Sequence, residues 1–207
     1  PEHAKAMAAF DHVLRTRLVF GNGSASRVGA LSAELGLKRI LLVTDPGIVR
    51  AGHVATVRKS LEAAGLEVIV FDQVIENPTT DCVERCRRLA ERAGTDSFLG
   101  LGGGSSMDTA KGANFLLTNG GRMQDYWGIG LAKREMLPLI VIPTTAGTGS
   151  ECQSFALISE AESHNKMACG DPKAAAKIAI LDPELTLSQP RNVPACTGID
   201  AIAHAVE

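Results

Sequence analysis

Aromatic residues are scarce in this chain, with one Trp, one Tyr and six Phe among 207 residues, or 4%. With 45% of its residues hydrophobic, it must build its core from aliphatic side chains, which suits an α/β protein. An excess of charge of either sign is also missing. Lys and Arg number 21 against 23 Asp and Glu, a net charge of -2. No basic stripe is therefore available to neutralise phosphates, and a nucleic-acid partner is not expected. No apolar run reaches the length of a membrane span, and the first residues lack a basic-then-apolar leader, so no membrane partner is expected either. The five cysteines, Cys82, Cys86, Cys152, Cys169 and Cys196, are odd in number and contain no zinc-type CxxC pair. They read as reduced thiols of a cytoplasmic protein.

The length allows one large domain, or one domain and the beginning of another. After a loosely packed lead-in over residues 1–16, short apolar runs alternate with amphipathic stretches. Strands are predicted at Leu18–Phe20, Arg39–Thr44, Leu66–Phe71 and Ser97–Leu101, with helices at Ser24–Leu35 (capped by Ser24), Val54–Ala64 and Thr80–Ala93. This alternation implies crossover connections: a mostly parallel sheet with flanking helices, the layout of a dinucleotide-binding domain. Beyond Leu137 the rhythm changes to four strands with no long helix between them, and from Asn192 the pattern is helical again.

Gly102-Gly103-Gly104-Ser105 falls where a buried strand gives way to a helix beginning near Ser105. Three glycines clear the turn of side chains, so backbone N–H groups can approach an anion, and the helix dipole favours a pyrophosphate there. The plainer reading is a capped helix without a ligand, because Ser105 and Asp108 have capping-box spacing. The GxGxxG fingerprint is absent; Gly21, Gly23 and Gly29 have the wrong spacing and read as a turn and a helix-packing contact. Asp45 ends the second strand and suits a ribose hydroxyl pair. Its charge would repel a 2′-phosphate and so favour NAD over NADP, although a turn Asp before Pro-Gly is nearly as good a local reading.

A second loop, Pro143 to Glu151, carries three Thr, two Gly and a Ser in nine residues. Together with Thr44-Asp45-Pro46-Gly47, Glu76-Asn77-Pro78-Thr79, the glycine turn with Asp108 and Lys111, and Gly198 to Glu207, it resembles the iron-containing (group III) alcohol dehydrogenase family. Dehydroquinate synthase and glycerol dehydrogenase share that family's superfamily. The resemblance implies that Asp45, Asn77, Gly102, Gly103, Gly104, Ser105, Asp108, Thr144, Thr145, Thr148, Ser150 and Lys166 line the dinucleotide, with Lys166 reaching toward the nicotinamide ribose.

Asp200 and His204 stand four apart on a predicted helix, and so share one face. Taken alone, such a pair is more often a surface hydrogen bond than a ligand pair. The resemblance makes them two of four metal ligands, an Asp and three His, with the other two His in a downstream segment. Residues 1–190 are then the dinucleotide-binding domain and 191–207 the truncated start of a helical metal-binding domain. The expected activity is hydride transfer between a small alcohol or aldehyde and NAD, with Fe(II) or Zn(II). No side chain stands out as a general base. The alternatives are a sibling activity (lactaldehyde or propanediol reduction, hydroxyacid–oxoacid transhydrogenation, maleylacetate reduction) and a non-catalytic nucleotide-binding module. A homodimer is left open.

Overall fold

The computed structural model describes residues 14–206, with the side chain of His204 outside the described set. The lead-in is thus outside the description as far as residue 13. Six strands form one all-parallel sheet: β1 (Arg17–Phe20), β2 (Arg39–Val43), β3 (Glu67–Phe71), β4 (Ser97–Gly102), β6 (Leu139–Pro143) and β9 (Ile178–Leu181), in the order β1-β9-β6-β4-β2-β3. The remaining strands, β5 (Gly128–Ile129), β7 (Phe155–Ser159) and β8 (Lys166–Gly170), make a separate sheet in the order β5-β8-β7, with β7 and β8 antiparallel. The sequence pattern finds β7 and β8 as strands but cannot assign them to a second sheet, because pairing is decided at long range.

The strands of the large sheet are continuous apolar runs because both faces are covered. Ile40, Leu42, Leu99, Leu101, Ile140, Ile142, Ile178 and Ile180 point to one face, where Val28, Leu31, Val57 and Leu61 from α1 (Val28–Glu34) and α3 (His53–Ala63) meet them. Leu41, Val43, Phe98, Val141 and Ala179 point to the other face, under α4 (Thr80–Ala93) and α5 (Gly104–Asn119). The period of two along each strand places these alternate residues on opposite faces. Helix α5 lies between β4 and β7, and every residue from Ser106 to Leu116 is buried. That position explains its small residues Ala110, Gly112 and Ala113, and it leaves the buried Lys111 in need of partners.

Two sequence expectations change at the helix starts. Ser24 does not cap a helix: Ser24–Arg27 is a 3-10 turn leading into α1, and the Ser24 hydroxyl donates to the Leu181 carbonyl at 3.4 Å. Asp182 does the work instead, accepting from the backbone N–H groups of Gly23 at 3.1 Å and Ala25 at 3.0 Å. The partner lies 157 residues away from Ala25, beyond the reach of a local pattern. The second change is a short helix the pattern missed, α2 (Pro46–Arg50), started by Pro46 and capped by Asp45. No described helix is long and apolar enough to cross a membrane.

Candidate dinucleotide site

The connectivity of the large sheet fixes where a ligand cleft must open. From β2 the chain passes to β3 on one side, and from β4 it passes to β6 on the other. Helices leaving adjacent strands in opposite directions open a crevice at the carboxyl ends of those strands. Here those ends are Thr44-Asp45 after β2 and Gly102-Gly103-Gly104 at the end of β4. A cleft of about 1090 Å³ opens there, and its lining includes Asp45, Gly103, Gly104, Ser105, Thr144, Thr145 and Thr148.

The floor of the cleft is bare backbone. Gly102 has φ of 143°, and a Cβ on it would sit 2.5 Å from Ser106 Oγ. Gly103 is the N-cap of α5 in an extended conformation, and no side chain hydrogen-bonds to the start of the helix. A Ser105–Asp108 capping box is therefore ruled out: the helix begins at Gly104, one residue earlier than the pattern suggests. The uncapped N–H groups of a 16-residue helix point into the cleft region with the positive end of its dipole.

The second loop forms the opposite lip. Thr144 N–H donates to the Gly102 carbonyl at 2.9 Å, tying the two loops together. A Cβ on Gly103 would lie 3.3 Å from Thr145 Cγ2, and one on Gly104 would lie 3.7 Å from Thr148 Oγ1. The hydroxyls of Ser106, Thr145 and Thr148 have no hydrogen-bond partner although they are shut off from solvent. Each residue lines the cleft. Unmatched buried hydroxyls cost about 1–3 kcal/mol apiece, and these cluster beside the uncapped start of α5, a polar setting that suits a polyanionic ligand. On these observations the residues fit a dinucleotide pyrophosphate.

Asp45 is a turn residue that caps α2. Its Oδ1 accepts from Gly47 N–H at 2.7 Å and Ile48 N–H at 3.1 Å, while a Cβ on Gly102 would lie 3.4 Å from Oδ2. One oxygen thus caps α2 and the other faces the glycine turn. Asn77 and Lys166 are not in the cleft lining, yet they join it through Ser105. Asn77, held at φ of 49°, donates its N–H to Ser105 Oγ at 3.2 Å, and its Oδ1 accepts from Lys166 Nζ at 3.3 Å. Three candidates from distant parts of the chain therefore meet at one side of the turn.

Asp108 and Ser150 are placed beneath the cleft, not in its wall. Ser150 Oγ donates to Asp108 Oδ1 at 3.0 Å. Lys111, which sequence reasoning had only as a motif residue, donates from Nζ to the Ser150 carbonyl at 2.7 Å, to Ser150 Oγ at 3.2 Å and to the Phe155 carbonyl at 3.0 Å. The signal for it was the three-residue spacing of Asp108 and Lys111, which puts both on one face of α5. Burial raises the Asp108 carboxyl to about 6, against the pull of Lys111 and the Ser150 hydrogen bond. Burial likewise lowers the Lys111 ammonium to about 8, against the Asp108 and Glu151 carboxylates. This cluster pins the end of the second loop to α5, and so fixes the gap between the two lips.

The far wall comes from α6 (Asn192–Val206), whose Asn192, Val193, Cys196 and Thr197 line the cleft. Gly147 has φ of 129°, and a Cβ on it would run into the Thr197 carbonyl oxygen, so the loop and the α6 backbone are in direct contact. Asp200 lies one turn further along this helix, on its exposed side. His204 is on the same helix, but its side chain lies outside the described residues. Among the described residues no group of three His, Cys, Asp or Glu is placed to hold a metal ion.

Comparison with known proteins agrees with this architecture. The family model described as iron-containing alcohol dehydrogenase matches residues 15–183. A choline dehydrogenase of Bacillus subtilis is 43% identical over 195 residues, which are 93% of this chain and 48% of the relative. Among solved structures, an alcohol dehydrogenase from Oenococcus oeni superposes with a TM-score of 0.91 at 35% identity, covering 96% of this chain and 52% of that one. A sulfoacetaldehyde reductase from Bifidobacterium kashiwanohense, solved in complex with NAD+, superposes with a TM-score of 0.88 at 28% identity, over 97% and 53%. The chain spans about half the length of the curated relatives it matches. Over that half, sequence and fold agree that the chain belongs to the iron-containing alcohol dehydrogenase family.

Proposed function

We propose that this chain is the cofactor-binding half of an NAD-linked, metal-dependent dehydrogenase acting on a small alcohol or aldehyde. The observation that carries the reading is the cleft at the switch between β2 and β4. There an uncapped helix start and three glycines face a lip of unpartnered threonine hydroxyls. Names among the relatives support it: alcohol dehydrogenase, NAD-dependent methanol dehydrogenase and lactaldehyde reductase. Those names differ in substrate, so a sibling reductase activity fits the same half.

Bound in the cleft, NAD would supply the hydride acceptor of the reaction. The chain's own residues then have separable roles. Gly104 and Ser105 offer N–H donors to the pyrophosphate, Thr144, Thr145 and Thr148 close the opposite lip, and Asp45 takes a ribose hydroxyl pair. Asn77 and Lys166 position Ser105 and extend the polar edge. Asp108, Ser150 and Lys111 hold the second loop in place from below. Asp200 and His204 are the ligands this half would offer to a divalent metal. Two ligands do not hold an ion firmly, so the chain's own share of the chemistry is to bind and orient the nucleotide.

A nucleotide-binding module without catalysis is the second reading, favoured by the incomplete metal set among the described residues. Calorimetric titration of NADH, combined with a turnover assay on short primary alcohols with and without Fe(II) or Zn(II), separates the two. The expected result for the 207-residue chain is saturable NADH binding with little or no turnover. Turnover that survives both chelation and Asp200→Ala would overturn the metal assignment. Absence of NADH binding would overturn the whole reading.

A further inference from the structure

We infer that Arg50 is a second determinant of cofactor choice: a latent anchor for the 2′-phosphate of NADP that Asp45 opposes. The inference rests on the dinucleotide reading of the cleft and deepens it. Arg50 lines the same cleft as Asp45 and closes the short helix that Asp45 opens. Both groups stand over Gly47. A Cβ on Gly47 would lie 2.8 Å from Asp45 Oδ1 and 3.9 Å from Arg50 Nη2. A carboxylate and a guanidinium thus flank one point at the end of β2.

The two do not neutralise each other through a direct bond. Asp45 Oδ1 is engaged by the N–H groups of Gly47 and Ile48. Arg50 is exposed and has no hydrogen-bond or ion-pair partner among the described residues. A planar guanidinium with open donors is suited to bidentate binding of a phosphate. An acidic residue at this strand end takes the ribose hydroxyls of NAD, whereas a nearby Arg accommodates the additional phosphate of NADP. This chain carries both at the same turn. Cofactor preference is then a balance of two opposed charges, set toward NAD by the inner one.

The balance can be tipped without breaking the helix. Asn at position 45 keeps a side-chain oxygen to cap α2 but removes the charge that repels a phosphate. Fluorescence titration of NADH and NADPH into the parent chain, Asp45→Asn, Arg50→Ala and the double variant tests the inference. In Asp45→Asn the NADPH:NADH affinity ratio should rise roughly tenfold or more. In Arg50→Ala it should fall roughly five- to tenfold, and in the double variant most of the Asp45→Asn gain should be lost. A ratio that rises equally with and without Arg50 would overturn the role of Arg50, and so would NADPH binding that stays unmeasurable in Asp45→Asn while NADH still binds. If the parent chain binds neither nucleotide, the dinucleotide reading itself fails, a result distinct from both.

Discussion

Replacing Lys111 with Met should lower the unfolding free energy by about 3–5 kcal/mol, the usual penalty for removing one partner of a buried charge pair. Met retains the volume, so the loss is electrostatic. Three hydrogen bonds disappear, and the carbonyls of Ser150 and Phe155 lose their donor. The Asp108 carboxylate also loses the cation that offsets its burial. Urea denaturation of the parent and Lys111→Met at matched pH measures the difference.

The same pair of variants carries a pH signature. In the parent, burial lifts the Asp108 carboxyl from an ordinary 3.8 to about 6. A carboxyl raised on folding favours the fold fully below its unfolded value, and that contribution fades as pH rises through about 6. Lys111 is shifted the other way, from 10.5 to about 8. Its contribution is present above 10.5 and is lost as pH falls through about 8. Near neutral pH both groups are charged, each holding the other. In Lys111→Met only Asp108 remains, and acid removes its charge. Without the pull of Lys111 the variant's Asp108 carboxyl titrates above the parent's value of about 6, so the stability gap should narrow as pH falls toward about 6 and stay level below it. A gap that widens in acid would show that Asp108 is not the group left stranded.

The second large effect is on binding and has the opposite sign on stability. Gly104→Asp places a carboxylate in the first turn of α5, where no side chain caps the helix. A Cβ at that position meets its nearest atoms at 3.7–3.9 Å, an ordinary contact. The fold should be unchanged or gain about 0.3–1 kcal/mol from the helix dipole. NADH affinity should fall roughly 100-fold or more, because two phosphate charges would face a fixed anion a few ångströms away. Unchanged affinity in a folded Gly104→Asp chain would mean that the pyrophosphate does not sit on α5. Loss of folding and binding together would point instead to a structural role for the bare turn.

How much of this was legible in the sequence depends on the range of the interaction. The parallel sheet, the strand-ending Gly102–Gly104 turn and the Asp45 turn follow from local periodicity and turn chemistry, and each is found where the pattern puts it. The Thr144–Ser150 loop is also legible as a group of hydroxyls. What the pattern could not supply is pairing across long stretches of chain. Asp182 capping at Ala25, Lys166 reaching Asn77, and Asn77 reaching Ser105 span 157, 89 and 28 residues. Asp108 shows the same limit: its spacing from Ser105 suggests a helix cap, whereas its real partner is Ser150, 42 residues away. Local pattern offers Asp45 as either a turn residue or a ribose ligand; its Oδ1 takes the turn role, and Oδ2 is left beside the glycine turn.

Backbone amide shifts recorded by NMR on the 207-residue chain during an NADH titration show directly whether the nucleotide sits on the start of α5. Saturable shifts are expected to concentrate at Gly103 to Ser106 and Thr144 to Thr148, the two lips of the cleft, with smaller changes at Asp45 and Gly47. Saturable binding that leaves the Gly104 and Ser105 amides unmoved, or no binding at all, would contradict that placement.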